Sequence, residues 1–151
     1  MQVEIASIED ADIRALVGVH HRQMHDGSPK GKAYALDGDG LNHESITIFA
    51  AREDGELLGI GALRALDDTS GEVKSMRTVP KALRRGVGRA ILLAVIAEAQ
   101  SRGYEKLCLE TGRGALFDAA ISLYVAEGFQ PASEFAEYEA SDFNQFFELK
   151  L

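Results

Sequence analysis

Polar and apolar positions follow two different periods along the chain, and the order of these periods predicts its elements. Gln2 to Ala6 alternates polar with apolar and predicts a short strand, after which Ser7 or Asp10 can cap a helix running to about Met24. Turn formers dominate Asp26 to Glu44, notably Asp37-Gly38-Asp39-Gly40, so a long loop with one helical turn is expected there. Ser45 to Arg52 and Leu57 to Ala65 are β-rich runs on either side of Glu53-Asp54-Gly55-Glu56, a hairpin signal. A third strand, Gly71 to Val79, follows the turn Asp67-Asp68-Thr69-Ser70. At Gly86 the period changes. Val87 to Arg102 carries Ala, Leu and Ile at helical spacing and stops at Gly103. Tyr104 to Glu110 reads as a short buried strand, and Thr111-Gly112-Arg113-Gly114 turns into a second helix, Ala115 to Glu127, that Gly128 ends. Phe129 begins a strand, and Phe143 to Leu151 forms the last, with Phe147, Leu149 and Leu151 on one face.

A chain of 151 residues that is 46% hydrophobic and 26% charged is expected to form one domain, 1–151, around one core. No apolar run is long enough to span a bilayer, and MQVEIASIED lacks the features of a secretory signal, so a cytoplasmic protein is expected. The single cysteine, Cys108, lies between Leu107 and Leu109 and reads as core filling. The net charge of −8 argues against nucleic acid and acidic membranes as partners and favours a cationic substrate. Against that background, Lys81, Arg84, Arg85 and Arg89 form a dense basic cluster.

This cluster surrounds Arg84-Arg85-Gly86-Val87-Gly88-Arg89, a glycine turn leading from a strand that ends at Pro80 into a helix with no capping side chain. Such a helix start leaves backbone N–H groups unpaired, its dipole adds about half a positive charge, and glycines allow a diphosphate to approach closely. A phosphate-bearing ligand is implied. The turn does not fit G-x-x-x-x-G-K-[ST], and Ile91 replaces the third glycine of G-x-G-x-x-G, so neither nucleotide-binding motif applies. No metal site is expected. His21 and His25 lack a carboxylate partner, and Leu41 and Asn42 interrupt the calcium-like start at Asp37.

Val73 to Arg89, VKSMRTVPKALRRGVGR, resembles the central motif of the GNAT superfamily of N-acetyltransferases: a strand, often a proline, then Q/R-x-x-G-x-G/A opening a helix. Leu123-Tyr124-Val125-Ala126-Glu127-Gly128-Phe129 resembles that superfamily's L-Y-x-x-x-G-F, although Leu83 and Arg84 depart from the usual Gln/Arg and glycine of the first motif. Glu72 to Thr78, Leu109 to Gly112 and Phe135-Ala136-Glu137-Tyr138 are similar to a bacterial branch often labelled indole-3-acetate acetyltransferase-like. The resemblance implies an α/β (α+β) fold with a mixed, mostly antiparallel sheet of about seven strands flanked by about four helices. It implies acetyl-CoA as cosubstrate, without a metal, and transfer of acetyl to a small-molecule amine or amino acid. A cofactor-binding sensor or partner-docking module of the same fold is the alternative, and the protein is expected to be a monomer or a homodimer.

Acetyl transfer needs an oriented thioester, a polarised carbonyl and a deprotonated amine. The resemblance implies that Met76, Arg77 and Thr78 bind the pantetheine arm and that Arg84, Arg85, Gly86, Val87, Gly88 and Arg89 bind the diphosphate. Glu72 is the expected base, with Glu110 as the other candidate, and Tyr124 is the expected acid for the leaving thiolate. His21, Ser28, Tyr34 and Glu110 are expected on the acceptor side.

Overall fold

The computed structural model describes residues 1–151. Seven strands form one sheet in the order β1-β2-β3-β4-β5-β7-β6, namely β1 (Gln2–Ala6), β2 (Ile46–Glu53), β3 (Glu56–Ala65), β4 (Ser70–Thr78), β5 (Lys106–Gly112), β6 (Gln130–Ala132) and β7 (Asn144–Lys150). All neighbours are antiparallel except β4 and β5. Four helices flank the sheet, α1 (Ala11–Asp26), the single turn α2 (Gly38–Leu41), α3 (Val87–Ser101) and α4 (Ala115–Ala126), with a turn of 3-10 helix at Pro80–Ala82. The mixed, mostly antiparallel architecture expected from the sequence is the one observed.

The continuous apolar runs of β2 and β3 follow from burial on both faces. Ile48, Ala50, Ile60 and Ala62 pack with Ile13, Leu16 and Val17 of α1 and Leu41 of α2. Phe49, Ala51 and Leu63 face the other way, against Val87, Ile91, Leu92 and Val95 of α3. Here α3 lies unusually close to the sheet. A Cβ on Gly61 would stand 2.6 Å from Ile91 Cγ2 and from Met76 Sδ, so only glycine permits this approach.

Several boundaries differ from expectation for local reasons. Strand β5 starts at Lys106 instead of Tyr104, whose N–H is taken by the carbonyl of Ala99 at the end of α3 (3.0 Å). It continues to Gly112, paired with β7 throughout. Strand β6 begins after Phe129, whose N–H closes α4 on Tyr124 (3.0 Å). Neither Ser7 nor Asp10 caps α1 through its side chain; Ser7 Oγ accepts from Glu9 instead (3.1 Å). The one helical turn in the long loop is capped by Asp37, which accepts from Gly40 N–H (2.8 Å), and is anchored by buried Leu41. No helix is long and apolar enough to cross a membrane.

Candidate active site

The site arises where the sheet parts. Strands β4 and β5 pair only from Ser70↔Lys106 to Glu72↔Cys108, although β4 continues to Thr78 and β5 to Gly112. A cavity of about 640 Å³ occupies the region they line, walled also by α1, the loop after it, the start of α3 and α4. At its edge β4 carries a bulge, with the register against β3 slipping between Ile60 and Ala62 and Ser75 at a φ of 55°. A bulge removes backbone groups from the ladder, and Ser75, Met76, Arg77 and Thr78 all line the cavity. Ser75 Oγ is buried without a hydrogen-bond partner.

One end of the cavity is built from backbone. Leu83 N–H donates to Pro80 (3.3 Å), and the next amide with a backbone acceptor is Ala90, bonded to Gly86 (3.0 Å). The amides of residues 84–89 between them find no acceptor in the protein. Arg84 and Gly86, with φ of 62° and 79°, fold this stretch into a nest of N–H groups ahead of α3. A Cβ on Gly88 would stand 3.3 Å from Leu123 Cδ2, in the groove leading away from the turn. An orphaned amide nest, an unpartnered serine hydroxyl and a groove kept open by glycine fit a diphosphate carrying a polar, extended arm.

The basic side chains around the turn divide unequally. Lys81 pairs with Glu56, Arg85 with Glu53 (2.6 Å) and Arg89 with Glu127 (2.8 Å), whereas Arg84 has no acidic partner. Arg84, Gly86, Val87, Gly88 and Arg89 line the cavity, but Arg85 does not. Its side chain is drawn to the β2–β3 hairpin, so the expectation that it reaches the ligand is corrected: only its amide belongs to the turn.

The middle of the cavity holds the titratable groups. Glu72, the expected base, is buried and fully engaged by its neighbours. It is 1% exposed, Oε1 accepts from Arg64 Nε (2.7 Å), and Oε2 accepts from the Tyr138 hydroxyl and faces Lys74 Nζ (3.5 Å). Lys74 also donates to the Tyr138 oxygen (2.6 Å), and Arg64 reaches Glu137 (2.9 Å). Sequence reasoning missed this network of Arg64, Lys74, Glu137 and Tyr138, although the Phe135-Ala136-Glu137-Tyr138 segment had drawn notice. Glu110, on the diverging part of β5, lines the cavity without any salt bridge. Burial pushes its carboxyl up to about 7, opposed by the neighbouring Asn144 amide and the charge of Lys74. Tyr124 also lines the cavity; burial pushes its phenol up, which keeps it protonated.

On the far side, Ser28 and Tyr34 line the cavity as expected, with Met24 and Lys32. Tyr34 packs edge-on against Tyr138 at 5.0 Å between ring centroids. His21 does not line the cavity. It stacks on His25 (4.2 Å between centroids), and the helix turns its neighbour His20 inward instead. His20 Nδ1 accepts from Arg77 Nε (2.9 Å), and burial, with the charges of Arg77 and Lys74 beside it, pushes its pKa down to about 3. The wall is also cationic, with Lys32, Lys74, Arg77, Arg84 and Arg89 against Glu72 and Glu110, the reverse of what net charge suggested.

Comparison with known proteins agrees with this geometry. The sequence profile described as "Acetyltransferase (GNAT) family" matches residues 13–129. The chain is 40% identical over 151 residues, the whole of both chains, to the uncharacterized N-acetyltransferase YsnE of Bacillus subtilis. It is 32% identical to an IAA acetyltransferase of Azospirillum brasilense, over 95% of this chain and 93% of that one. A Klebsiella pneumoniae structure assigned to the acyl-CoA N-acyltransferases superposes with a TM-score of 0.81 at 26% identity, covering 99% and 97% of the two chains. The PaiA N-acetyltransferase of Thermoplasma acidophilum, solved with coenzyme A, shares the fold at a TM-score of 0.75 and 18% identity over the full length of both chains.

Proposed function

This chain belongs to the GNAT family of acetyltransferases, and we propose that it moves an acetyl group from acetyl-CoA directly to a primary amine of a small molecule or amino acid. The observation that carries this reading is that one cavity joins the unpartnered amides of residues 84–89 to the carboxyl of Glu110 and the wall around Tyr34. Bound acetyl-CoA supplies an acetyl group activated as a thioester. The amides of residues 84–89, with Arg84 and Arg89, hold its diphosphate, while the bulged segment Ser75–Thr78 receives the pantetheine arm and provides an amide for the carbonyl oxygen.

Glu110 is the base. An amine with a pKa near ~10 is mostly protonated at neutral pH, and a carboxylate titrating near neutrality can take that proton where an ordinary one is too weak. Glu72 is a positioning residue, because both of its oxygens are occupied by Arg64, Lys74 and Tyr138. Tyr124 donates to the departing sulfur. One ammonium proton passes to Glu110 and a second reaches the sulfur as the C–N bond forms and the C–S bond breaks. The products are an amide, a thiol and one released proton.

The test is to titrate the protein with acetyl-CoA by calorimetry, then offer amines and amino acids while free thiol is followed. Micromolar binding followed by acceptor-dependent thiol release is expected. Absence of acetyl-CoA binding overturns the reading, and binding without turnover of any acceptor favours the sensor alternative.

A further inference from the structure

Three arginines of this protein are half-buried: Arg52, Arg64 and Arg77. Removing a guanidinium from water is tolerated when a carboxylate compensates its charge. Arg52 meets Asp12 (2.7 Å), and Arg64 meets Glu72 (2.7 Å) and Glu137 (2.9 Å). Arg77 meets no acid. Its Nε donates to His20 Nδ1 (2.9 Å) and its Nη1 to Gln23 Oε1 (2.6 Å), leaving Nη2 without a protein partner.

Both partners are neutral acceptors. Nδ1 of His20 can accept only while unprotonated, and burial beside two cations holds the ring in that state. Burial alone shifts the Arg77 guanidinium, downward, with no acidic group offsetting it. The result is a planar donor fixed in orientation from α1, charged and uncompensated, on the wall that also carries Met24, Ser28 and Tyr34. Its unpartnered Nη2 can donate to a carboxylate, whose charge would compensate the guanidinium.

The other cations of the wall are accounted for differently. Arg84 and Arg89 belong to the turn before α3, Lys74 is satisfied by Glu72 and Tyr138, and Lys32, unpaired, is exposed to water on the loop after α1. Arg77 lies after the bulge of β4, and its side chain runs toward α1 rather than toward that turn, although its backbone borders the cofactor groove.

We propose that Arg77 receives a carboxylate of the acetyl acceptor, so that the acceptor is an amino acid with an apolar side chain. Arg77 holds the carboxylate, Glu110 takes the ammonium proton, and Met24, Tyr34 and Phe143 provide apolar surface for the side chain. The inference rests on the acetyl-transfer reading above and narrows its substrate class. A decarboxylated amine leaves Arg77 buried and uncompensated, which is the larger part of the discrimination.

The test compares phenylalanine with phenethylamine and leucine with isoamylamine, by thiol release and by calorimetry on the coenzyme A-loaded protein. Wild type, Arg77→Gln and Arg77→Lys are measured in parallel. The amino acids should exceed the amines by roughly ten- to a hundredfold in kcat/KM. Arg77→Gln should abolish that preference, mainly through KM and with acetyl-CoA affinity unchanged, and Arg77→Lys should restore part of it. Equal use of amines and amino acids by the wild type overturns the inference, and so does a loss of acetyl-CoA affinity in Arg77→Gln, which assigns the side chain to the cofactor. If nothing is turned over, carboxylate-dependent binding of amino acids that Arg77→Gln loses sustains the inference while the enzymatic reading fails. No such binding overturns both.

Discussion

On the proposed function, the two ends of the cavity would recognise their ligands by different means. At the α3 end the proposed binding groups are amides of residues 84–89, and the arginines there are exposed and, apart from Arg84, paired with distant acids. At the β4–β5 end the cavity is lined by side chains, several tied into buried networks: Glu72, Lys74, Glu110, Arg77 and His20. A backbone site depends on conformation, so it tolerates the departures at Leu83 and Arg84. A side-chain site depends on identity, so on the proposed function it would fix which acceptor enters and how protons move.

The sharpest way to test that contrast is Glu110→Gln. It should lower kcat/KM by about 10² to 10⁴ and leave acetyl-CoA affinity unchanged. With the ionised carboxyl as the proposed base, wild-type kcat/KM should rise with pH through about 7, and the variant should lose that limb. Stability carries the opposite sign. The folded carboxyl is raised from 4.5 to about 7, so its stabilising contribution is whole below the lower value and lost as pH rises through the upper one. Thermal unfolding between these values should therefore slope downward with pH in the wild type and less so in the variant.

Next is Glu72→Ala, which strands Arg64 and Lys74 in the interior and should cost about 3–5 kcal/mol in denaturant unfolding. Acetyl-CoA binding by the folded fraction should persist; its loss would join the two ends into one energetic unit. Gly88→Leu addresses the backbone end, filling the groove beside Leu123, and should weaken acetyl-CoA binding by roughly a hundredfold with little change in unfolding. The smallest effect is expected from Tyr124→Phe, under about tenfold in kcat, since a thiolate of ordinary pKa near ~8.5 leaves with little help. Single-turnover thiol release would measure it, and a loss of several orders of magnitude would show that the acid is indispensable.

The same contrast governs how much could be read from the sequence. The glycine turn was legible because its cause is local: two glycines, a preceding proline and a helix without a capping side chain all lie within Pro80 to Arg89. The succession of strands and helices along the chain followed from hydrophobic period and the hairpin signal, while the mixed sheet came from the family resemblance. The side-chain network was not legible, because Lys74 meets Tyr138 across 64 residues and Arg77 meets His20 across 57, and no local pattern records such pairings. The sequence pointed to His21 and not to His20, because the helix phase that turns His20 inward is set by the packing of Ile13, Leu16 and Val17. The bulge at Ser75 left no mark either, since a positive φ at serine has no residue signature as glycine does.

The amide nest also bears on how fast the protein can run. On the proposed function it would grip the diphosphate, which acetyl-CoA and spent coenzyme A have in common, so it could not tell the loaded carrier from the empty one. Occupancy then follows the ratio of the two forms rather than the amount of either. On the proposed reaction, falling acetyl supply throttles the catalyst through its own product, with no separate regulatory site.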